Sequence, residues 1–211
     1  MRVTKHDHAY LTLEKNDETL IIDPGAFATD LGELSGVVGV VITHEHADHW
    51  TPEHLQAIAA AFPGVPMFTT SATAQSAPVE MTVVSPGDEL RAGSFSLRFF
   101  GGVHNEIHSS IPLVDNVGVL IDGDIYYPGD SYAVPDGVDV RVLAAPAGAP
   151  WLKIGDAMDF VLEIAPREAF ATHDMTLSSA GLSMHRDRLA WATEQGGGTF
   201  HHLDSGDAIE V

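Results

Sequence analysis

Four side chains able to hold a metal ion fall within six positions of this chain, in the segment Thr43-His44-Glu45-His46-Ala47-Asp48-His49. Val37 to Ile42, just before it, is a continuous apolar run and suits a strand buried on both faces. A helix is predicted after it, from Pro52 to Phe62. Thr51 is a good N-cap, Pro52 fits the first helical position and Pro63-Gly64 stops the helix. At a strand end, residues two apart project to the same side, so His44 and His46 can grip one ion. The chain then turns toward the helix, which places Asp48 and His49 to face a second ion beside the first. A solvated loop is the bland alternative, but an H-x-H-x-D-H string at a strand-to-helix junction seldom arises by chance.

The rest of the composition narrows the chemistry. The chain has no cysteine, which excludes disulfides and thiolate metal sites and leaves nitrogen and oxygen donors, drawn from 12 histidines and 30 acidic residues. Imidazole and carboxylate suit zinc, manganese and iron alike. The formal charge is −20. Such a surface repels phosphate backbones and anionic membranes, so the expected partner is a small-molecule substrate, with no nucleic acid and no membrane. The excess acid also serves solubility, and bound dications would offset some of it locally. The start, Met1 to His8, is too polar for a signal peptide, and no apolar run approaches the roughly 18 residues of a membrane span. A cytoplasmic location is the expectation. The length of 211 residues suits one domain, 1–211, with room for two similar halves and with homo-oligomerisation left open.

Along the chain, Ala9 to Glu14 alternates as a half-buried strand does, Lys15-Asn16-Asp17-Glu18 is a polar turn, and Thr19 to Ile22 returns until Asp23-Pro24-Gly25 stops it. Further strands are predicted at Pro66–Thr69, Met81–Ser85, Phe95–Phe100, Val117–Asp122, Ile125–Tyr127, Val140–Ala144, Ala169–Thr172, Thr199–Leu203 and Ala208–Val211. Asp156 is the expected cap of a helix reaching Ile164, and Ser178 or Ser179 that of a last helix stopping at Gly196-Gly197-Gly198. Strand-rich stretches flanked by amphipathic helices imply sheets with helices on their outer faces.

With these residues in place, the sequence resembles the metallo-β-lactamase superfamily. Its H-x-H-x-D-H motif matches His44, His46, Asp48 and His49. Its third histidine after a strand matches His104 in Phe99-Phe100-Gly101-Gly102-Val103-His104. Its bridging aspartate matches Asp130 in Tyr127-Pro128-Gly129-Asp130-Ser131, and its late histidine matches His173 in Ala171-Thr172-His173. The likeness covers essentially the whole chain and implies an α+β fold, a four-layer αββα sandwich. It implies two divalent ions, Zn2+ first and Mn2+ or Fe2+ as alternatives. His44, His46 and His104 would hold one, Asp48, His49 and His173 the other, with Asp130 shared. Asp48 would also orient the attacking hydroxide or shuttle a proton. The stretch from His104 to Asp130 and Ala149-Pro150-Trp151-Leu152 are similar to small hydrolases grouped with ascorbate-6-phosphate lactonase. That implies cleavage of a small ester, lactone or amide. An iron-dependent oxidoreductase, a phosphodiester hydrolase and a non-catalytic metal protein are the competing readings.

Other residues have two readings each. His108, four residues past His104, is a candidate catalytic or substrate-contacting group, or a loop histidine. His8 opens the first predicted strand in Asp7-His8-Ala9, where lactonase-like relatives carry Gly-His-Ala, and could back the ligands. Asp23 either starts a turn or orients an imidazole from beneath. Asp115-Asn116 reads as a turn or as part of the site's mouth, and Trp151 as pocket wall or core. His54 is expected on a helix face, and His185, His201 and His202 at the surface or in packing. Asp174 is expected to point away. Lys153 is the only cation that stands out near the late loops, and Arg167 is expected to face solvent, so a phosphate or carboxylate clamp is poorly supported.

Overall fold

A computed structural model describes residues 1–211. The chain runs β1 (Arg2–Lys5), β2 (Leu11–Lys15), β3 (Glu18–Ile22), β4 (Val37–Val41), α1 (Pro52–Ala61), β5 (Met67–Thr69), α2 (Ser71–Ser76) and β6 (Thr82–Val83). It continues through β7 (Glu89–Ala92), β8 (Phe95–Val103), β9 (Asp115–Ile121), β10 (Ile125–Tyr127), β11 (Val142–Pro146), α3 (Ile154–Ile164) and β12 (Glu168–Thr172). It ends with α4 (Ser179–Gln195), β13 (Thr199–His201) and β14 (Ala208–Glu210). The strands form two seven-stranded mixed sheets, in the orders β14-β1-β2-β3-β4-β5-β6 and β13-β12-β11-β10-β9-β8-β7.

Three apolar clusters define four layers. Between the sheets, Leu11, Leu13, Leu20 and Ile22 meet Phe95, Phe99, Val119 and Phe170 in a cluster of 22 buried residues. The outer face of the first sheet packs Val40 and Ile42 on Leu55 and Ile58 of α1. The outer face of the second packs Leu143 and Ala169 on Phe160 and Val161 of α3 and Leu189 of α4. This is the αββα sandwich expected from the sequence, with the helices outermost because each sheet is apolar on both faces.

Local chemistry explains most boundaries. The β2–β3 hairpin turns at Asn16 and Asp17, both with positive φ (53° and 60°), as a two-residue hairpin loop requires. Thr51 caps α1 by accepting the His54 backbone N–H at 3.1 Å, and Ser178, not Ser179, caps α4 by accepting from Gly181 at 3.2 Å. Asp156 does not cap α3. That position is Lys153, which makes no side-chain cap, and Asp156 lies in the first turn, where its charge faces the positive helix end.

β1, α2 and β7 were not anticipated. β1 is hidden by its polar letters, because Lys5 reads as surface. Its ammonium is only 2% exposed, satisfied by Asp174 at 3.1 Å and the His6 carbonyl at 3.1 Å, so the strand lies inside the sheet between β14 and β2. His8 therefore does not open the first strand; it sits in the turn between β1 and β2 with φ at 58°.

The two sheets converge at one end of the sandwich. His44 forms an isolated antiparallel bridge with Asn116 of β9, and the Val117 N–H reaches the Thr43 carbonyl at 3.0 Å. Two glycines permit the loops to close there. A Cβ on Gly25 would lie 1.8 Å from the Asp48 carbonyl oxygen, and one on Gly129, at φ 62°, would lie 2.4 Å from Asn116 Oδ1.

Candidate metal centre

His44 to His49 emerge from the end of β4, His104 follows β8, Asp130 follows β10 and His173 follows β12. All seven residues singled out as ligands converge. His44, His46, His104 and Asp130 form one group whose ligand atoms lie within 4.8 Å of one another, and His49, Asp130 and His173 form a second sharing Asp130. Asp48 joins through a third group with His44 and His49 and a fourth with His8 and His173, its Oδ2 3.3 Å from His173 Nε2. Five of the seven, His44, His49, His104, Asp130 and His173, are buried, while His46 and Asp48 are half-buried, the Asp48 side chain being 28% exposed.

The tautomers are fixed from behind. The Nδ1–H of His49 donates to Asp23 Oδ2 at 2.7 Å, that of His104 to the Asn105 carbonyl at 2.5 Å and that of His173 to the Gly148 carbonyl at 2.6 Å. The Thr43 hydroxyl donates to Asp23 Oδ2 at 2.7 Å, so it accepts from His44 Nδ1–H at 3.0 Å. In the neutral rings every Nε2 is therefore a lone pair aimed into the cluster. His44 Nε2 stands 3.1 Å from His46 Nδ1.

Buried Nε2 atoms of His49, His104 and His173, together with Asp130 Oδ1, have no hydrogen-bond partner. They face one another as acceptors, with His49 Nε2 at 3.2 Å from Asp130 Oδ1 and His104 Nε2 at 3.3 Å from Asp130 Oδ2. Buried polar atoms are rarely left unpaired, and acceptors opposed at this range repel unless positive charge lies between them. The donor set fits divalent metal ions held by nitrogen and oxygen.

The electrostatics agree. Burial and the neighbouring His49 push the His44 pKa well below its ordinary value, which keeps the ring neutral. Burial also opposes charge on His49 and His173. The carboxylates outweigh it, chiefly Asp130 with Asp23 or Asp48, and raise His49 well above its usual range and His173 to about 9. For Asp48, hydrogen bonds from His173 and His8 overcome burial and hold the carboxyl far below its ordinary value, so it stays ionised.

Without metal, protons therefore occupy places that dications would take. At pH 7 a metal ion must displace a proton from His173, so apparent affinity should rise with pH until about 9. The stability of the metal-free fold has the opposite dependence. The protonated His173 stabilises it fully below about 6.5, and this is lost as pH rises through about 9. Titration calorimetry in buffers of different ionisation enthalpy should show proton release on metal binding at pH 7; uptake or no exchange would contradict this.

Asp23 is not a mere turn residue. It is fully buried and receives the Thr43 N–H at 2.8 Å as well as the Thr43 hydroxyl and His49. Asp115-Asn116 form no turn, because both lie in β9, with Asp115 exposed at the strand end opposite Val103. Asn116 is buried, accepting the Asp130 N–H at 3.0 Å and donating to the Pro128 carbonyl at 2.9 Å, which fixes the loop beneath the Asp130 carboxylate. Trp151 serves the site: its Nε1–H donates to Asp130 Oδ2 at 2.7 Å, and its ring lies 5.9 Å from that of His104. The supporting roles of Thr43, Asn116 and the Asn105 and Gly148 carbonyls were not anticipated, because nothing in their spacing sets them apart from ordinary loop residues.

His108 is exposed on the loop after β8, its Nδ1 turned to Ser110 Oγ at 2.8 Å, and belongs to none of these groups. His54, His185 and His201 bond the Pro24 carbonyl (2.8 Å), the Ala147 carbonyl (2.6 Å) and Glu168 (2.8 Å), and His202 lies against Phe200. Asp174 points away, to Lys5 and Arg186.

Two mixed sheets sandwiched by helices, with a histidine–aspartate cluster where the sheets converge, define a metallo-β-lactamase-fold protein. The chain belongs to the beta-lactamase superfamily domain family, whose model matches residues 2–173. It is 32% identical over 199 residues to protein Rv0786c of Mycobacterium tuberculosis (strain ATCC 25618 / H37Rv), covering 92% of this chain and 93% of that one. In fold it is similar to Igni18, a metallo hydrolase from Ignicoccus hospitalis, with TM-score 0.75 and 16% identity over 99% of this chain and 97% of the other. It is also similar to CmlA, a diiron beta-hydroxylase from Streptomyces venezuelae, with TM-score 0.71 and 15% identity over all of this chain and 54% of the other. No helix is long and apolar enough to cross a membrane.

Proposed function

We propose that this protein is a dinuclear metal-dependent hydrolase that cleaves a small ester, lactone or amide. The observation that carries this reading is the set of four buried, unpartnered atoms on His49, His104, His173 and Asp130, all at ligand positions of one cluster. His44, His46 and His104 would hold one ion, and Asp48, His49 and His173 the other, with Asp130 between. Zn2+ is the first assignment, and the same donors accept Mn2+ and Fe2+. Bound there, the ions supply Lewis acidity, making hydroxide available near pH 7 and offsetting charge on the developing oxyanion.

The residues of the chain do the rest. Asp48, ionised and half-buried, orients the attacking hydroxide by accepting its hydrogen bond. His108, exposed on the loop that carries His104, contacts the substrate or passes a proton to the leaving group. Trp151 holds Asp130 and presents its ring beside His104. The substrate class is supported by the pairing of the cations on the late loops and on the strand and helix beside His8. Lys153 pairs with Asp156 at 3.0 Å, Arg167 with Asp139, and Lys5 and Arg186 with Asp174, so each of these four already has a carboxylate partner.

The test is a substrate panel with metal-stripped protein reloaded with Zn2+ or Mn2+. Lactones, aryl esters or amides should turn over, and Asp48→Asn should lower kcat by roughly 10²–10⁴-fold. Turnover of phosphodiesters alone would overturn the substrate class. Oxygen consumption by iron-loaded protein with no hydrolysis would overturn the reaction.

A further inference from the structure

His8 lies outside the sequence motifs that carry the seven proposed ligands, yet it is fully buried and forms with Asp48 and His173 a cluster close enough to face a metal ion. Its carbonyl accepts the His173 N–H at 2.8 Å, and its ring packs 3.9 Å from the His173 ring. Its Nε2 stands 3.3 Å from Asp48 Oδ2. The Met175 backbone N–H points at its Nδ1 at 3.2 Å.

That last contact decides the tautomer. A backbone N–H can only donate, so His8 Nδ1 is the acceptor and the single proton of the neutral ring is on Nε2. Nε2–H then donates to Asp48 Oδ2 and has no lone pair for a metal. The four rings described above are wired in the opposite sense, with the proton on Nδ1 and Nε2 free.

We infer that His8 is a positioning residue that grips Asp48 through Nε2–H and His173 through its backbone carbonyl, setting the second ion's site from behind. The inference rests on the dinuclear reading of the site. The hydrogen bond occupies one lone pair of Asp48 Oδ2 and leaves the carboxylate's remaining lone pairs for the ion or the nucleophile. Without it, this half-buried carboxylate would be free to rotate toward solvent. The left-handed backbone of His8, at φ 58°, is held because its carbonyl and its ring are both committed.

The test compares His8→Gln with His8→Leu. Both place an unbranched Cβ at the same positive φ, so backbone strain cancels between them, and only glutamine restores an N–H donor near the position of Nε2. Wild type should bind two Co2+ per chain. His8→Leu should weaken the second Co2+ by about 10–100-fold and shift its visible d–d bands, with the first ion and the metal-free melting temperature matching those of His8→Gln. His8→Gln should recover the second-site affinity and the bands. Equal loss in both variants would overturn the inference and mark His8 as a ligand or a packing group. Wild-type affinity in His8→Leu would overturn it as well. If wild-type protein itself bound no second Co2+, the dinuclear reading would fail instead, and the two failures are thus distinguishable.

Discussion

Asp130→Ala should strip both metal ions from the protein while leaving its fold intact. Asp130 joins the group of His44, His46 and His104 to that of His49 and His173, with oxygens 3.2 Å from His49 Nε2, 3.3 Å from His104 Nε2 and 3.2 Å from His173 Nε2. Its removal leaves two sets of imidazoles without the charge that joins them. The backbone at this position is held independently, by Asn116 Oδ1 on the Asp130 N–H and by Asn116 Nδ2 on Pro128, so the loop should keep its course. The structural cost is the orphaned Trp151 Nε1–H, on the order of 1–3 kcal/mol. Hydrolysis should fall by about a thousandfold or more, since the contribution of bound ions to the transition state is several kcal/mol. Elemental analysis after dialysis, with circular dichroism as the control for folding, checks this. Retention of two ions with full activity would show that another residue is the bridge.

Asp23 should be nearly as sensitive, for a different reason. Its carboxylate is fully buried and accepts three hydrogen bonds, two from Thr43 and one from His49. Asp23→Ala leaves these donors buried without acceptors and should cost roughly 3–5 kcal/mol, a large part of the stability of an ordinary domain. Asp23→Asn separates stability from chemistry. Its amide oxygen can still accept from Thr43, but an amide N–H facing His49 Nδ1 reverses that ring's tautomer. The proton then moves to Nε2, where it blocks the metal. The expected result is a folded protein with a melting temperature above that of Asp23→Ala, and with second-ion affinity reduced about 10–100-fold. Thermal melts and metal titrations read the two effects separately. Wild-type metal affinity in Asp23→Asn would show that His49 is not oriented in this way.

Much of this architecture was legible in the sequence because it is written in short-range patterns. The apolar run before His44 is β4, buried on both faces, and Thr51-Pro52 opens α1 through the cap expected of it. The seven proposed ligands were legible because they sit in motifs at strand ends, where one side-chain position decides what faces the centre. β1 was not legible, because Lys5 and Thr4 look like surface residues until Asp174, far along the chain, supplies a buried counter-ion. The same limit applies to the supports of the site. Trp151 reaches Asp130 across 21 residues and Met175 reaches His8 across 167, and no local pattern carries such a pairing. The two readings of Asp23 could be resolved only once Thr43 and His49 were seen around one carboxylate.

The most direct test of the central claim is anomalous scattering from crystals of metal-loaded protein. Two peaks should appear about 3.5–4 Å apart, one against His44, His46 and His104, the other against Asp48, His49 and His173, with Asp130 touching both. A single peak, or ions bound away from these side chains, would contradict the account.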